Sequence, residues 1–405
     1  MNVAEIRTPA DIRSMLTPSE ATEIILSHRP DFGSTSLLLH EAVGRILAER
    51  LLADRDLPPC DTVRMDGIAI RYADVQSGIT RFHASGIQRA GVAARSLDHQ
   101  GLCIEVMTGA ILPEGADTVI PYEQAPVVNE GSLDFFEVNP ETVKSGQHIQ
   151  RTGADHGKGN SLASPGIAVT PAVVGIAASV GKSTIRVSDV PRVAIVSTGD
   201  ELVDIDEDPE PYQLRRSNVY ALDGYLKLCG ISTNLFHLQD DEQMLNDRLS
   251  HILNDHSVVI LSGGVSKGKY DLVPEVLTRL GVTCHFHRVA QKPGKPMWFG
   301  SSAETVVFAL PGNPVSALAC AARYIGPFLK GNEKARKITL TAPVSSHEKL
   351  ALLIPVALTS HYHAEVIEFN GSGDFASLSK ADGFIEVPAG SVDEEFCYYP
   401  ITGLH

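Results

Sequence analysis

The chain has 405 residues, of which 43% are hydrophobic and 20% are charged, and its formal net charge is −15. This length exceeds that of one ordinary domain and indicates about two to four domains, each with enough apolar residues for a core. The acidic balance and the lack of a basic run argue against a nucleic-acid-binding protein, which needs a positively charged surface.

No apolar run is long enough to cross a bilayer, because the most apolar stretch, residues 166–180, contains Pro171 and Gly175. The first residues lack the apolar core of a signal peptide, so we expect a cytoplasmic protein without membrane association. The six cysteines are scattered singly, which favours buried reduced thiols over a disulfide framework or a zinc ribbon.

The first element that the sequence predicts is a helix. Thr17 as N-cap, Pro18 at the first helical position and Glu20 three residues after the cap predict a helix start. A second short helix is predicted near residues 37–51.

From about residue 54 to 146 the sequence pattern indicates a β domain, because short apolar runs alternate with Gly, Pro and Asp turns. The predicted strands are 68–70, 102–106 and 118–120. After a polar, glycine-rich stretch, Thr170 and Pro171 begin another helix, which Gly181 ends.

Between residues 190 and 330 strands alternate with helices. The run Arg192-Val-Ala-Ile-Val-Ser197 is rich in β-branched residues and apolar in its interior, as expected for a strand that is buried on both faces. Further strands are predicted at 231–238, 257–262, 282–289 and 305–310, and helices at 218–229, 240–254, 272–280 and 314–329. This alternation predicts parallel strands with right-handed crossovers, and such sheets bind ligands at the carboxyl ends of their strands. After residue 333 short strands return, the last of them at 385–387, which indicates a small all-β module.

Three predicted strand ends carry residues suited to a phosphate. Their sequences are Ser197-Thr-Gly-Asp-Glu201, Ser262-Gly-Gly-Val-Ser-Lys-Gly268 with Asp271 beyond it, and Pro311-Gly-Asn-Pro314. Glycines let backbone amides approach an anion, and a helix N-terminus adds a partial positive charge. Asp200 and Asp271 could hold a divalent cation beside the phosphate. We therefore predict that these loops bind a phosphate-bearing small molecule.

Other charged motifs have two interpretations. The turn Gln291-Lys-Pro-Gly-Lys-Pro296 either contributes Lys292 and Lys295 to that site or is a solvated surface turn. The segment Asp61-Thr-Val-Arg-Met-Asp66-Gly67 either groups two carboxylates and an arginine or is a plain turn. Two His-x-His pairs, His285/His287 and His361/His363, lack an obvious third metal ligand.

These motifs together resemble the molybdopterin molybdenumtransferases, the MoeA proteins related to the gephyrin E domain, and the match runs nearly end to end. It includes, besides the motifs above, Met107-Thr-Gly-Ala110, Leu112-Pro-Glu-Gly-Ala-Asp117, Ser217-Asn218, Gly371-Ser-Gly-Asp374 and Ala381-Asp-Gly383.

The resemblance implies a homodimer of four-domain subunits. The implied domains are 1–53 with 147–188 (elongated), 54–146 (inserted β domain), 189–332 (a doubly wound α/β domain like MogA) and 333–405 (a small β barrel). It also implies a Mg²⁺-dependent enzyme that cleaves adenylated molybdopterin, releases AMP and transfers molybdenum from molybdate, in a cleft between the α/β domain of one subunit and N-terminal parts of the other. The pterin-adenylating protein and molybdoenzyme apoproteins are the further partners that it suggests.

Site residues follow from the resemblance position by position. The implied catalytic residues are Asp61, Asp200, Asp271, Lys292 and Lys295, with Asp200 and Asp271 as metal ligands. The implied substrate-binding residues are Thr108, Arg151, Thr198, Gly199, Ser217, Asn218, Ser262, Gly263, Gly264, Ser266, Pro311, Gly312, Asn313 and Pro314.

The sequence departs from the family pattern near two of these positions. Ala154 stands where the family has a glutamate implicated in activity, with Asp155 beside it. Val63 replaces a serine, Arg64 a small residue and Ile68 a tyrosine. Besides an active insertase, we therefore consider a paralogue that binds molybdopterin phosphate without turnover. A nucleotide pyrophosphatase is a further alternative, because a related α/β fold also occurs in nucleotide-hydrolysing proteins.

Overall fold

The computed structural model describes residues 15–130, 133–264, 272–331 and 335–402. Contacts divide the chain into two compact units, one formed by Gly33–Asp189 and the other by the described parts of Met1–Phe32 and Val190–His405. Within these described ranges, no helix has both the length and the apolar character needed to span a membrane.

The unit Gly33–Asp189 contains a six-stranded sheet. Its strands, in spatial order, are Thr118–Pro121, Gly67–Ile70, Leu102–Val106, Arg81–Gln88, Leu133–Glu137 and Val127–Glu130. Buried side chains such as Ile68, Phe82 and Ile120 form a core on this sheet. The three runs predicted as strands in this region are confirmed.

The remaining elements of this unit are short. Two-stranded pairings join Ser34–Leu38 to Thr184–Ser188, Leu51–Leu52 to Ser161–Ala163, and Thr62–Val63 to Ile149–Gln150. The helices are Tyr72–Gln76 and Pro171–Ser179, with single turns of 3₁₀ helix at Tyr122–Gln124 and Pro140–Thr142. The helix predicted from Thr170 and Pro171 is confirmed, and the Thr170 hydroxyl accepts the Val173 amide.

The helix predicted near residues 37–51 is wrong. The segment begins in the strand Ser34–Leu38, turns at Gly44 in the left-handed region (φ 82°), and pairs Ile46 and Leu47 with distant residues. Leu47 N–H donates to Ile167 O at 2.8 Å. Long-range pairing thus satisfies backbone groups that a local helix would otherwise have used, and tertiary context overrides the apolar spacing.

The second unit begins with the helix Pro18–Ser27, which carries the predicted capping box. The Glu20 amide donates to Thr17 Oγ1 at 3.3 Å, and the Thr17 amide donates to the Glu20 carboxylate at 2.8 Å. Ala21 and Ile25 of this helix are buried in the core of the α/β sheet.

That sheet has six strands with helices on both faces. Their spatial order is Thr233–Leu238, Val193–Thr198, Val258–Ser262, Val306–Leu310, Trp298–Ser301 and Thr283–His287. The helices are Ser217–Leu228, Glu242–Asp255, Val273–Arg279, Pro314–Cys320 and Gly326–Lys330, and a short parallel pair joins Leu202–Val203 to Leu214–Arg215. The first four strands are parallel and the sheet separates two apolar cores, which confirms the predicted doubly wound α/β architecture.

Two details of this domain differ from the prediction. Thr283–His287 was expected to join a parallel sheet, but it pairs antiparallel with the unpredicted strand Trp298–Ser301. The helix predicted at 314–329 is interrupted by a π-helical turn, Ala321–Ile325. Pro327 has no backbone N–H and its ring excludes the carbonyl four residues earlier, so a regular α-helical turn cannot form there.

Five strands close into the predicted C-terminal barrel. They are Arg336–Leu340, Ala351–Leu358, His363–Val366, Gly383–Val387 and Glu395–Pro400, and Gln291–Lys292 adds to the edge of Ala351–Leu358. A 3₁₀ turn spans Ala376–Lys380. The strand Glu395–Pro400, which follows the last predicted one, completes the closure.

Candidate active site

The four parallel strands of the α/β sheet end at one edge, where most of the predicted site residues lie. Thr198, Ser262 and Leu310 end adjacent strands, and Leu238 pairs with Thr198. The three inner strands, Val193–Thr198, Val258–Ser262 and Val306–Leu310, are buried along their whole length, so the loops that follow them are the parts that can meet a ligand.

The turn after Ser262 lies directly against Thr198. Gly263 and Gly264 adopt φ of 100° and 67°, and a Cβ on Gly264 would lie 2.7 Å from Thr198 Oγ1. Thr198 is 3% exposed, and its hydroxyl oxygen has no hydrogen-bond partner within the described residues. A buried hydroxyl that lacks a partner costs stability, and such groups concentrate where a ligand supplies the missing bond.

Asn218 connects two of the strand-end loops. Its Nδ2 donates to Ser262 Oγ at 2.9 Å and to Gly312 O at 2.8 Å. Because the Gly312 carbonyl can only accept, this contact fixes the orientation of the Asn218 amide. Ser217, exposed, is the first residue of the helix that carries Asn218.

Asp200 extends from the loop after the first strand. Gly199 has φ of 131°, and a Cβ there would lie 2.5 Å from the Glu201 carboxylate. Asp200 is exposed, and its Oδ1 accepts the Asp240 amide at 3.1 Å. The carboxylate is therefore fixed on one side and accessible on the other.

The lysine turn, residues 291–296, lies at the same edge of the sheet. Thr283–His287 runs antiparallel to Trp298–Ser301, which runs antiparallel to Val306–Leu310, so the first and third of these point the same way. The chain that follows His287 therefore leaves at the carboxyl edge. Lys292 and Lys295 are exposed, while Gly294 between them packs on Cys320.

The loop Pro311-Gly-Asn-Pro314 contacts the C-terminal barrel. Asn313 Nδ2 donates to Ser372 Oγ at 2.9 Å, and the Val315 amide donates to Ser372 O at 3.0 Å. Ser372 was not among the predicted site residues. The motif Gly371-Ser-Gly-Asp374 was visible in the sequence, but its place beside this loop depends on contacts across nearly 60 residues.

Two predicted site residues, Ser266 and Asp271, lie outside the described residues. Within the described ranges, no group of three or more His, Cys, Asp and Glu side chains could hold a metal ion. His285 Nε2 bonds to Ser301 Oγ at 2.8 Å, and His363 Nδ1 to Ser360 Oγ at 3.1 Å.

The other predicted residues belong to the unit Gly33–Asp189. Asp61 accepts from Arg151 Nη1 at 2.5 Å and from the Thr152 amide at 2.9 Å. The hydrogen bond from the Thr152 amide, together with the Arg151 guanidinium, lowers the pKa of Asp61 below its ordinary value. The structure therefore brings the predicted pair Asp61 and Arg151 into contact.

Thr108 contacts Asp66, at the end of the same turn. Its hydroxyl and its amide both donate to Asp66 Oδ1 at 2.7 Å, and these bonds lower the pKa of the carboxyl. Gly67 is required next to it, since a Cβ there would lie 2.0 Å from Ile120 O. Asp66 is one of the two carboxylates of the sequence motif 61–67, but the predicted site residues do not include it.

The residues that depart from the family pattern differ in how far they are buried. Val63 and Ile68 are buried in the cores of their unit, whereas Arg64 and Ala154 are exposed. Both oxygens of Asp155 accept from Gln150 Nε2, at 3.0 and 2.9 Å. Asp155 is therefore already engaged by Gln150.

Comparison with known families matches nearly the whole chain. Residues 16–181 match the MoeA N-terminal region (domain I and II), residues 194–331 a probable molybdopterin binding domain, and residues 337–398 the MoeA C-terminal region (domain IV).

Individual relatives agree with these matches. A molybdopterin molybdenumtransferase of Synechocystis is 40% identical over 382 residues, covering 92% of this chain and 96% of the relative. The enzyme of that name from Haemophilus influenzae is 33% identical over 80% of each chain. The crystal structure of a molybdopterin biosynthesis MoeA protein from Pyrococcus horikoshii superposes with a TM-score of 0.81 at 28% identity, covering 96% of this chain and all of that one.

Proposed function

Because the chain belongs to the molybdopterin molybdenumtransferase family of enzymes, we propose that it transfers molybdenum from molybdate to adenylated molybdopterin, with Mg²⁺, and releases AMP. The family places the chain in molybdenum cofactor biosynthesis. In this reaction, the adenylated form of the substrate, the identity of the metal and the release of AMP are our proposals.

The strongest support is the convergence of the strand-end loops at one sheet edge. There Gly263 and Gly264 pack against the buried Thr198 hydroxyl, which has no partner in the described part of the chain, and Asn218 joins their loop to Gly312. Backbone amides of a glycine turn suit a diphosphate, because phosphate oxygens accept several short N–H bonds at once. Because a net charge of −15 repels anions at long range, the affinity for a phosphate has to come from donors within the site itself.

Each part of this edge has a role in the proposed reaction. The amides of the glycine turn and the ammonium groups of Lys292 and Lys295 bind the anionic groups. They thereby stabilise the charge that develops on the phosphate oxygens as the diphosphate link breaks. Asn218 holds two of the loops in register, so that the donors are oriented before the substrate binds.

The carboxylate of Asp200 is of the kind that Mg²⁺ prefers as a ligand. Asp200 offers an accessible carboxylate, and Mg²⁺ in phosphate-transfer sites is held by one or two carboxylates together with substrate phosphates and water. Asp200 would hold the ion, with Asp271 proposed as the second ligand. When bound, the ion neutralises phosphate charge and polarises the diphosphate.

We propose further roles for the unit Gly33–Asp189 and for assembly. Asp61, Arg151 and Thr108 support the reaction as charged and hydrogen-bonding groups, and the working protein is a homodimer of four-domain subunits. The pterin-adenylating protein and molybdoenzyme apoproteins are its proposed partners, as source and recipient of the cofactor.

The test is an AMP-release assay with the whole protein. Purified protein is incubated with adenylated molybdopterin, molybdate and Mg²⁺, and AMP and pterin-bound molybdenum are quantified. We expect AMP to be released only when Mg²⁺ and molybdate are both present, and ADP-ribose to remain intact. Binding of the pterin without AMP release would contradict the enzymatic proposal, and hydrolysis of ADP-ribose would favour a nucleotide pyrophosphatase.

The exposed Ala154 supplies a direct variant of this assay. Ala154→Glu restores the acid of the family pattern at a position where the side chain meets solvent. We expect its rate of AMP release to be at least about tenfold higher than that of the wild type, since one added catalytic carboxylate contributes on this scale or more. Ala154→Gln is the matched control, because it has nearly the same shape without the charge. Equal rates for the two variants would show that the added charge does not matter.

A further inference from the structure

A buried glutamine lies beneath the lysine turn. Gln291 is fully buried, and its Nε2 donates to Gly294 O at 3.3 Å and to Cys320 Sγ at 3.3 Å. Its Oε1 accepts from the hydroxyl of Tyr324. Burial raises the pKa of Tyr324 well above its ordinary value, so this hydroxyl stays protonated and donates. The side chain of Gln291 therefore has its polar atoms bonded, and one of its bonds holds the backbone of the turn.

The turn fits closely on the helix below it. Gly294 adopts φ of 89°, and a Cβ on it would lie 2.4 Å from Cys320 Sγ and 2.7 Å from Gln291 Nε2. The Val289 amide donates to Lys295 O at 3.0 Å. On the other side of Gly294, Gln291–Lys292 pairs with the barrel strand Ala351–Leu358, so the backbone is fixed before and after this glycine while the two lysine side chains are exposed.

Tyr324 reaches Gln291 from the π-helical turn Ala321–Ile325. The Gly326 amide donates to Ala321 O, five residues back, and Gly326 itself passes so near Tyr225 that a Cβ would lie 2.1 Å from its hydroxyl. Wide turns of this kind are uncommon and frequently lie at functional sites. Two neighbouring side chains of this π-helical turn make polar contacts with other elements. Arg323 pairs with Glu386 on the barrel, and the Tyr324 hydroxyl donates to Gln291 beneath the lysine turn.

We propose that Tyr324 and Gln291 are positioning residues, which fix the backbone between Lys292 and Lys295 so that both ammonium groups meet the anionic substrate. The inference rests on the anion-binding role given to the two lysines above. An apolar pair of the same size would fill this buried space at no cost in hydrogen bonds. The polar pair adds a directional hydrogen bond to Gly294 O. This bond fixes the backbone conformation of the lysine turn.

Tyr324→Phe tests the positioning role, and Tyr399→Phe is its matched control. Tyr399 is also buried, and Arg323 contacts both rings, at 5.0 Å from Tyr324 and 4.7 Å from Tyr399. The Tyr399 hydroxyl, however, bonds to Glu386 and not to the turn. The phenylalanine at position 324 keeps the ring packing and leaves Gln291 Oε1 unpaired.

The measurement is AMP release as a function of adenylated molybdopterin and of molybdate, together with the melting temperature. We expect Tyr324→Phe to raise the half-saturating concentration of at least one anion about tenfold with little change in kcat, since a lost buried hydrogen bond is of this size. Tyr399→Phe should change it less than twofold. In a Lys292→Ala/Lys295→Ala background, Tyr324→Phe should have no further effect, because the tyrosine acts through the lysines.

The outcomes separate this inference from the proposed function. If the double lysine variant keeps the wild-type half-saturating concentrations, the lysine assignment is wrong and the inference falls with it. If the lysine variant is impaired but Tyr324→Phe behaves like Tyr399→Phe, or still weakens binding without the lysines, only the positioning role is wrong.

Discussion

Thr198 shows how a single residue can indicate a ligand site. Its neighbour Ser197 donates to Phe236 O at 3.3 Å and contacts His237 Nδ1 at 3.0 Å, whereas the Thr198 hydroxyl has no partner among the described residues. The two side chains end the same buried strand and point to opposite faces of the sheet. The two hydroxyls therefore differ in their local hydrogen bonding, and this difference can be measured through the free energy of unfolding.

We predict that Thr198→Val raises the free energy of unfolding by about 1 kcal/mol, because it keeps the shape of the side chain and removes a buried hydroxyl that has no partner among the residues that the structure describes. Ser197→Ala is the control and should lower that free energy by about 1 kcal/mol, since its hydroxyl is bonded. Urea unfolding measures both. A loss of stability in Thr198→Val equal to that in Ser197→Ala would show that the hydroxyl is already satisfied.

A histidine pair gives a residue-scale prediction on pH. The ring of His285 contacts that of His28, with centroids 3.7 Å apart and the planes tilted by 32°, and burial, followed by the charge of His28, lowers the pKa of His285 to about 4. The folded protein therefore binds fewer protons than the unfolded chain between pH 6.5 and 4. Stability contributed by neutral His285 is complete above pH 6.5 and is lost as the pH falls towards 4.

His285→Phe should accordingly flatten the decline of the melting temperature between pH 6.5 and 4. The exposed His361 offers a control, because His361→Phe should leave the wild-type slope. Parallel melting curves for wild type and His285→Phe over this range would mean that His285 takes up a proton in the folded state as readily as in the unfolded chain.

At the scale of elements, a buried ion pair joins the π-helical turn to the barrel. Arg323 is 7% exposed, pairs with Glu386 and donates to Thr22 Oγ1 at 2.9 Å. Three elements of this unit meet at one guanidinium: the first helix, the π-helical turn Ala321–Ile325 and the barrel strand Gly383–Val387.

Arg323→Met should lower the free energy of unfolding by about 3 kcal/mol, because it leaves the Glu386 carboxylate buried and unpaired. Arg323→Met/Glu386→Met should be more stable than Arg323→Met alone, since no uncompensated charge remains. A double variant whose loss equals the sum of the two single losses would show that the pair is not coupled.

Elements with strong local signals could be predicted from the sequence. The capping box at Thr17 satisfies its own backbone groups, and the β-branched run ending at Ser197 shows by its composition that it is buried on both faces, so local patterns suffice to predict both elements. The segment 37–51 and the strand Trp298–Ser301 could not be predicted, because partners far along the chain determine their conformation. The same limit applies to the site: the glycine loops were visible in the sequence, whereas the contacts of Ser372 with Asn313 and of Tyr324 with Gln291 depend on the folded chain.

At the scale of the whole molecule, the proposed function requires an acidic chain to bind an anionic substrate. Net charge −15 repels anions at long range, so affinity has to come from donors fixed within the site. In the proposed site these donors are the glycine amides, the helix N-termini and the two lysines at the carboxyl edge of the α/β sheet. We infer that fixed donors, more than overall charge, determine substrate recognition by this protein.

Amide hydrogen exchange of the whole protein, with and without adenylated molybdopterin, tests this account most directly. At about ten times the dissociation constant of the ligand, the account predicts exchange about tenfold slower in peptides that cover residues 193–203, 258–264 and 306–318. Unchanged exchange in all three, with the ligand demonstrably bound, would place the substrate elsewhere and contradict it.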